Sequence, residues 1–96
     1  MSEAPAPGDE CVATVEVANP NGVHARPSHR IVSLAQDFDA EVELEYDGRR
    51  AEARSILAVM TLGVPPGAEL RIRARGPQAA EAVAALVAFL ADPDGP

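Results

Sequence analysis

The chain has 96 residues, the length of one small domain, and its apolar residues are mostly aliphatic, with two Phe, one Tyr and no Trp. Its net charge of -7 argues against general nucleic-acid binding, which requires cationic groups that neutralise phosphates. The longest apolar runs are too short for membrane insertion, and two histidines with one cysteine are too few for a typical zinc site, so we expect neither.

Residues 1–10 are rich in Ala, Pro, Gly and acidic side chains, and they lack the basic and apolar regions of a signal peptide. We therefore predict a disordered N-terminal tail here, an ordered domain over residues 11–91, and a C-terminal tail over residues 92–96. Cys11 has no partner for an internal disulfide, which indicates a reducing, cytoplasmic location. Its place in a strand pattern favours a role as a small apolar filler.

Residues 11–18 alternate between two faces, the pattern of a half-buried strand. Asn-Pro and Asn-Gly over residues 19–22 then predict a turn. Apolar residues recur at helical spacing after the turn, which predicts a helix over about residues 26–37. Pro27 suits its first turn, where a missing backbone N–H leaves no hydrogen bond unmade.

A hairpin is predicted next. Residues 41–46 alternate, with Val42, Leu44 and Tyr46 facing inward. Asp47-Gly48 is typical of a type I′ turn. Residues 49–54 form the returning strand, with the small side chains of alanines 51 and 53 facing inward.

Ser55 is a favourable N-cap residue, and the apolar run behind it predicts a short helix over residues 56–62 that ends at Gly63. This helix is apolar nearly all round. Two interpretations follow: all of its large apolar side chains are core, or one face remains exposed and forms a docking patch for a partner. The candidate docking residues are Pro27, Ile56, Leu57 and Met60, of which methionine suits an adaptable surface.

The cleanest alternation covers residues 69–75, with Leu70, Ile72 and Ala74 facing inward. A last helix is predicted over residues 78–91 and ends at Asp92-Pro93. Its inner stripe consists of Ala79, Ala82, Val83, Leu86 and Leu90.

The element order βαββαβα, with four strands that share an apolar face and three helices to cover it, indicates a two-layer α+β sandwich. Charge indicates which strands are neighbours. Glutamates 41, 43 and 45 line the outer face of the second strand, and arginines 71, 73 and 75 line that of the fourth. Opposed charges stabilise adjacent strands, so we predict that these two strands pair. The alternative is that each stripe is simply a solvated face.

His24 lies between the predicted turn and the first helix, and Arg26 follows two residues on. A helix start presents free N–H groups and partial positive charge, and it can bind an anion such as phosphate. A titratable nucleophile, a guanidinium and an anion-binding helix start thus share one short segment. The alternative is a solvated loop histidine beside a surface arginine.

Residues 21–27, Asn-Gly-Val-His-Ala-Arg-Pro, resemble the phosphorylatable-histidine motif of HPr, the small phosphocarrier of the bacterial phosphoenolpyruvate:sugar phosphotransferase system. Residues 54–64, Arg-Ser-Ile-Leu-Ala-Val-Met-Thr-Leu-Gly-Val, resemble the regulatory-serine segment of the same family. Residues 38–40 and 44–48 are similar to its Gram-positive-type members. The resemblance covers about residues 11–90, and two such motifs at this spacing are specific.

The resemblance implies that His24 accepts a phosphoryl group on Nδ1 from phosphorylated Enzyme I and passes it to an EIIA-type sugar-permease component. It implies that Arg26 lies beside that group and that Ser55 is a regulatory position, with a serine kinase or phosphorylase as a further partner. The implied fold is an open-faced β-sandwich, an antiparallel sheet in the order 1-4-2-3 with three helices on one face. The protein would be a carrier rather than an enzyme, needs no cofactor or metal, and is expected to be a monomer.

His29 departs from the family pattern, in which this position is commonly small, and we expect a surface residue rather than a second phosphoryl acceptor. The first helix also lacks lysine, which weakens the basic rim around the site. A competing hypothesis is a non-catalytic regulatory module that acts on transcriptional or kinase partners through Ser55 and its helix. The presence of His24, Arg26 and Pro27 favours the carrier, because a purely regulatory module would not need His24.

Overall fold

A computed structural model describes residues 10–20, 22 and 25–93 of the chain, residues 25 and 26 by their backbone alone. The predicted tails fall mainly on residues 1–9 and 94–96, outside the described part. The elements are β1 (Glu10–Glu16), α1 (Ala25–Gln36), β2 (Glu41–Tyr46), β3 (Arg49–Glu52), α2 (Ile56–Thr61), β4 (Glu69–Arg75) and α3 (Ala79–Leu90). Their order confirms the sequence-based prediction. No helix in these ranges combines the length and apolar character needed to cross a membrane.

The strands form one antiparallel sheet in the order β1-β4-β2-β3, as predicted. The outward glutamates of β2 lie directly opposite the outward arginines of β4: Glu41 faces Arg75, Glu43 faces Arg73 and Glu45 faces Arg71. The Arg71 guanidinium lies 3.9 Å from the Glu45 carboxylate. The two charge stripes therefore meet across the sheet, and the alternative of two separate solvated faces is wrong.

The first strand differs slightly from its prediction. β1 begins at Glu10, which pairs with Arg75, one residue before the start that alternation indicates. It ends sooner because Val17 and Ala18 take other partners. The N–H of Val17 donates to the Ala68 carbonyl, and the N–H of Ala18 donates to the end of α3, each at 2.9 Å.

The hairpin forms where Asp47-Gly48 predicts it. Both residues have positive φ, 54° and 78°, the left-handed conformations of a type I′ turn. β3 ends at Glu52 rather than at Arg54, because the N–H of Ser55 donates to the Glu52 carbonyl at 3.1 Å and closes a turn.

The helices cover one face of the sheet and leave the other open. α3 packs against β1 and β4, α2 packs against β3, and α1 contacts the other two helices. Every residue of the predicted inner stripe of α3 is buried. Cys11 is half-buried against the same core, which fits a small apolar filler. This packing holds the N-terminus of α1 and the whole of α2 on the helical side of the domain.

Candidate functional site

Helix α1 begins at Ala25, immediately after His24 in the chain. Its first turn contains no acidic residue that would offset the partial positive charge of the free N–H groups. The helix start thus lies where the motif predicts it and suits an anion. His24 lies outside the described residues, and Arg26 is placed only by its backbone in this first turn.

Pro27, one of the predicted docking residues, is buried. A buried ring offers a partner little surface, and its docking role stays a prediction. Its fixed φ suits the first helical turn.

Ser28, the next residue, is fully buried, and its hydroxyl has no hydrogen-bond partner among the described atoms. Nothing in the sequence predicts this burial, since serine near a helix start is ordinarily an exposed or capping residue. A buried hydroxyl without a partner destabilises the folded state.

His29 and Arg30 follow on the exposed face of α1. The surface position predicted for His29 is confirmed. Arg30 places one exposed basic side chain on this helix, which carries no lysine.

Gly22 lies two residues before His24 in the chain. Its backbone has φ of 66°, and its N–H donates to the Asn19 carbonyl at 2.9 Å. The sequence predicts the turn but not its surroundings. A Cβ added to Gly22 would lie 2.5 Å from the Val64 carbonyl oxygen, so this glycine is in tight contact with a loop distant in sequence.

Ser55 caps helix α2 as predicted. Its Oγ accepts a hydrogen bond of 3.2 Å from the Ala58 N–H, and its own backbone is extended. The far end of the helix passes through Leu62 to Gly63, whose φ of 63° is the left-handed conformation expected of a C′ residue.

The α2 helix divides its apolar side chains between core and surface. Val59 and Leu62 are buried, at 0% and 3% exposed. Ile56, Leu57 and Met60 are 38%, 76% and 40% exposed. The interpretation in which all of them are core is therefore wrong. We call Ile56, Leu57 and Met60 the α2 patch.

A groove of about 530 Å³ runs beside the α2 patch, between α2 and β3. Leu57, Ala58 and Thr61 form one side, and Arg49 and Arg50 form the other. Arg49 also donates from Nη2 to the Leu62 carbonyl at 2.8 Å and so satisfies a free carbonyl at the end of α2. The place of both arginines in this groove could not be predicted from the sequence, because alternation alone marks them only as outward-facing or strand-end residues.

Comparison with known proteins adds independent evidence. A family model described as "PTS-HPr: PTS HPr component phosphorylation site" matches residues 12–92. Phosphocarrier protein NPr of Escherichia coli (strain K12) is 46% identical over 77 residues, which cover 79% of this chain and 86% of that protein. Phosphocarrier protein HPr of Vibrio cholerae is 42% identical over 76 residues, which cover 79% and 89%.

The fold is also similar to that of a solved phosphocarrier structure. The crystal structure of a phosphocarrier protein HPr from Bacillus anthracis superposes with a TM-score of 0.82 at 34% identity, covering 84% of this chain and 96% of that one. Similarity in fold and in sequence thus covers most of the domain. It includes the open-faced sheet, its strand order and the helix that begins after His24.

Proposed function

Because the chain belongs to the HPr family of phosphocarrier proteins of the phosphotransferase system, we propose that His24 is its phosphoryl acceptor, with phosphorylated Enzyme I as donor and an EIIA-type component as recipient. Proteins of this family carry phosphoryl groups and do not themselves act as enzymes. The observation that carries the proposal is the start of α1 at Ala25, directly after His24, with no acid in the first turn.

The chemistry requires a neutral imidazole. Histidine is mostly neutral at pH 7, and the tautomer with its hydrogen on Nε2 has a lone pair on Nδ1. That lone pair attacks phosphorus, the Nδ1–P bond forms, and the bond from phosphorus to the donor breaks. The same exchange in reverse order transfers the group to the recipient, so the carrier is regenerated.

The phosphoryl group brings negative charge to the helix start. The free N–H groups of α1 and the guanidinium of Arg26 share that charge in this proposal. Arg26 occupies the first turn of α1, which supports its assignment as the stabilising residue.

Partners dock on the α2 patch in this proposal. Leu57 is 76% exposed beside the exposed Ile56 and Met60, so the helix presents a contiguous apolar surface, and α1 contacts α2 directly. A partner seated on the patch would therefore also reach α1. Arg49 and Arg50 add basic side chains beside the α2 patch to the exposed Arg30 of α1, and they favour a partner surface with acidic side chains.

Ser55 has the regulatory role in this proposal, through a serine kinase or phosphorylase. Its hydroxyl lines the groove beside the α2 patch. Phosphate there would add negative charge next to the docking surface while remaining at a helix N-terminus, where negative charge is favoured. We also propose that the protein is a cytoplasmic monomer, and the half-buried free Cys11 fits a reducing compartment.

The experiment is a two-step transfer. Enzyme I and phosphoenolpyruvate should load the protein with one phosphoryl group, and an added EIIA-type component should unload it. If no EIIA-type component of the same cell removes the phosphoryl group from the loaded protein, the proposed recipient is wrong. A protein that is never loaded would overturn the carrier role and leave the regulatory module as the better account.

A further inference from the structure

The loop that follows α2 touches the turn that leads into His24. A Cβ on Gly22 would lie 2.5 Å from the Val64 carbonyl oxygen, 3.0 Å from the Pro66 nitrogen and 3.1 Å from the Pro65 carbonyl carbon. All three contacts are with backbone atoms, which cannot rotate away as a side chain does. Only a residue without a Cβ fits here.

The loop formed by Val64, Pro65 and Pro66, which we call the platform, is itself firmly held. Val64 is 3% exposed and belongs to the core. Just beyond the platform, Gly67 donates to the Val17 carbonyl at 2.8 Å. Two consecutive prolines fix φ at two successive positions. The platform is therefore a rigid support rather than a compliant loop.

Gly22 and α1 bracket His24 in the chain, at residue 22 on one side and Ala25 on the other. We infer that Gly22 is a positioning residue for phosphoryl transfer, because its close contact with the platform fixes the point from which the chain enters the acceptor. This inference rests on the proposed function of His24. Gly22 touches no reacting atom and acts only through the placement of the turn.

The contact between Gly22 and the platform also connects the turn before His24 to helix α2. The platform follows α2 after only Leu62 and Gly63. A partner that binds the α2 patch thus contacts the helix that leads directly into the platform, and the platform supports the turn before His24. Small misplacements of reacting groups reduce transfer by about 100-fold.

The test compares Gly22→Ala with Gly48→Ala. Gly48 has a similar left-handed φ, 78° against 66°, but a Cβ there would meet nothing within 4 Å. Both variants carry the backbone strain of an alanine at positive φ, and only Gly22→Ala adds a clash. We expect Gly22→Ala to lower kcat for loading by Enzyme I by about 10- to 100-fold at unchanged KM, because the α2 patch is intact. Gly48→Ala should retain wild-type kcat.

A second variant removes the support without adding an atom. Pro65→Gly combined with Pro66→Gly frees the platform backbone, and it should also lower kcat. Nuclear magnetic resonance of the His24 ring should show altered shifts in Gly22→Ala and in the double variant but not in Gly48→Ala. These results would support the positioning role.

Three outcomes would overturn it. The first is a folded Gly22→Ala protein with wild-type kcat. The second is an unfolded Gly22→Ala protein together with a folded double variant that keeps wild-type kcat. Either of these, with normal loading of the wild type, would reject the positioning role alone. The third, wild-type protein that Enzyme I does not load, would reject the proposed function and this inference together.

Discussion

The hydroxyl of Ser55 accepts a hydrogen bond of 3.2 Å from the N–H of Ala58, and this contact caps α2 beside the α2 patch. Ser55→Asp should fold normally, because aspartate is an equally good N-cap and its charge is favoured at a helix start. Ser55→Ala should lower the free energy of unfolding by about 1 kcal/mol, since Ala58 loses its acceptor. Urea denaturation of the three proteins measures both effects.

The charge of Ser55→Asp should act on docking instead. It lies in the groove beside the α2 patch, where it would repel an acidic partner surface and offset Arg49 and Arg50. We expect a higher KM for loading by Enzyme I with little change in kcat. A normally folded Ser55→Asp protein with wild-type KM would contradict the regulatory role and leave Ser55 as a cap.

Removal of the buried Ser28 hydroxyl should stabilise the protein. Ser28 is fully buried, and its hydroxyl has no hydrogen-bond partner in the part of the chain that the structure describes, so Ser28→Ala deletes an unsatisfied group and inserts a better helix former. The expected gain is about 1 kcal/mol in the free energy of unfolding. Ser33→Ala, on the same helix but only partly buried, reports the helix-propensity effect alone. Equal gains in the two variants would show that burial of the Ser28 hydroxyl carries no penalty.

Leu57 should matter for docking and hardly at all for folding. Leu57→Ala removes a side chain that is 76% exposed, so stability should change by less than about 0.5 kcal/mol. If a partner buries Leu57, KM for Enzyme I should rise by about tenfold. Val12→Ala is the matched control, since Val12 is 43% exposed on the open face of the sheet. Equal KM values for the two variants would remove the α2 patch from the interface.

Arg26 should be needed for transfer rather than for folding. Arg26→Ala should lower kcat for loading by about tenfold or more, because the phosphoryl group loses a charged donor. Arg26→Lys should recover part of that loss, since lysine keeps the charge without the planar fork. If the partner of Arg26 is the phosphoryl group, stability should change by no more than about 0.5 kcal/mol in either variant, as is usual where a substitution removes no internal contact. A large loss of stability with normal kcat would make Arg26 a structural residue.

The elements set by local chemistry could be predicted from the sequence. Asp47-Gly48 predicts its turn because only residues that tolerate positive φ suit a type I′ hairpin. The pairing of β2 with β4 could be predicted because opposite charges recur with the two-residue period of a strand, as at Glu45 and Arg71. The end of α2 at Gly63 could likewise be predicted, because glycine readily adopts the left-handed conformation that ends a helix.

Features that depend on tertiary contacts could not be predicted. An apolar six-residue helix has no polar face to show which side is core, so the exposure of Leu57 needed the structure. The burial of Pro27 and Ser28 and the contact of Gly22 with Val64 depend on segments far apart in the chain. Glu10 joins β1 because it pairs with Arg75, which the composition of the N-terminal segment does not reveal.

The most direct test of the account is the site of phosphorylation. Wild-type protein incubated with Enzyme I and phosphoenolpyruvate should gain one acid-labile phosphoryl group, and His29→Ala should gain it equally well because His29 is a surface residue. His24→Ala should gain none while its circular dichroism and unfolding midpoint stay those of the wild type. A folded His24→Ala protein that is still labelled, with the group on His29, would contradict the assignment of His24 as the acceptor.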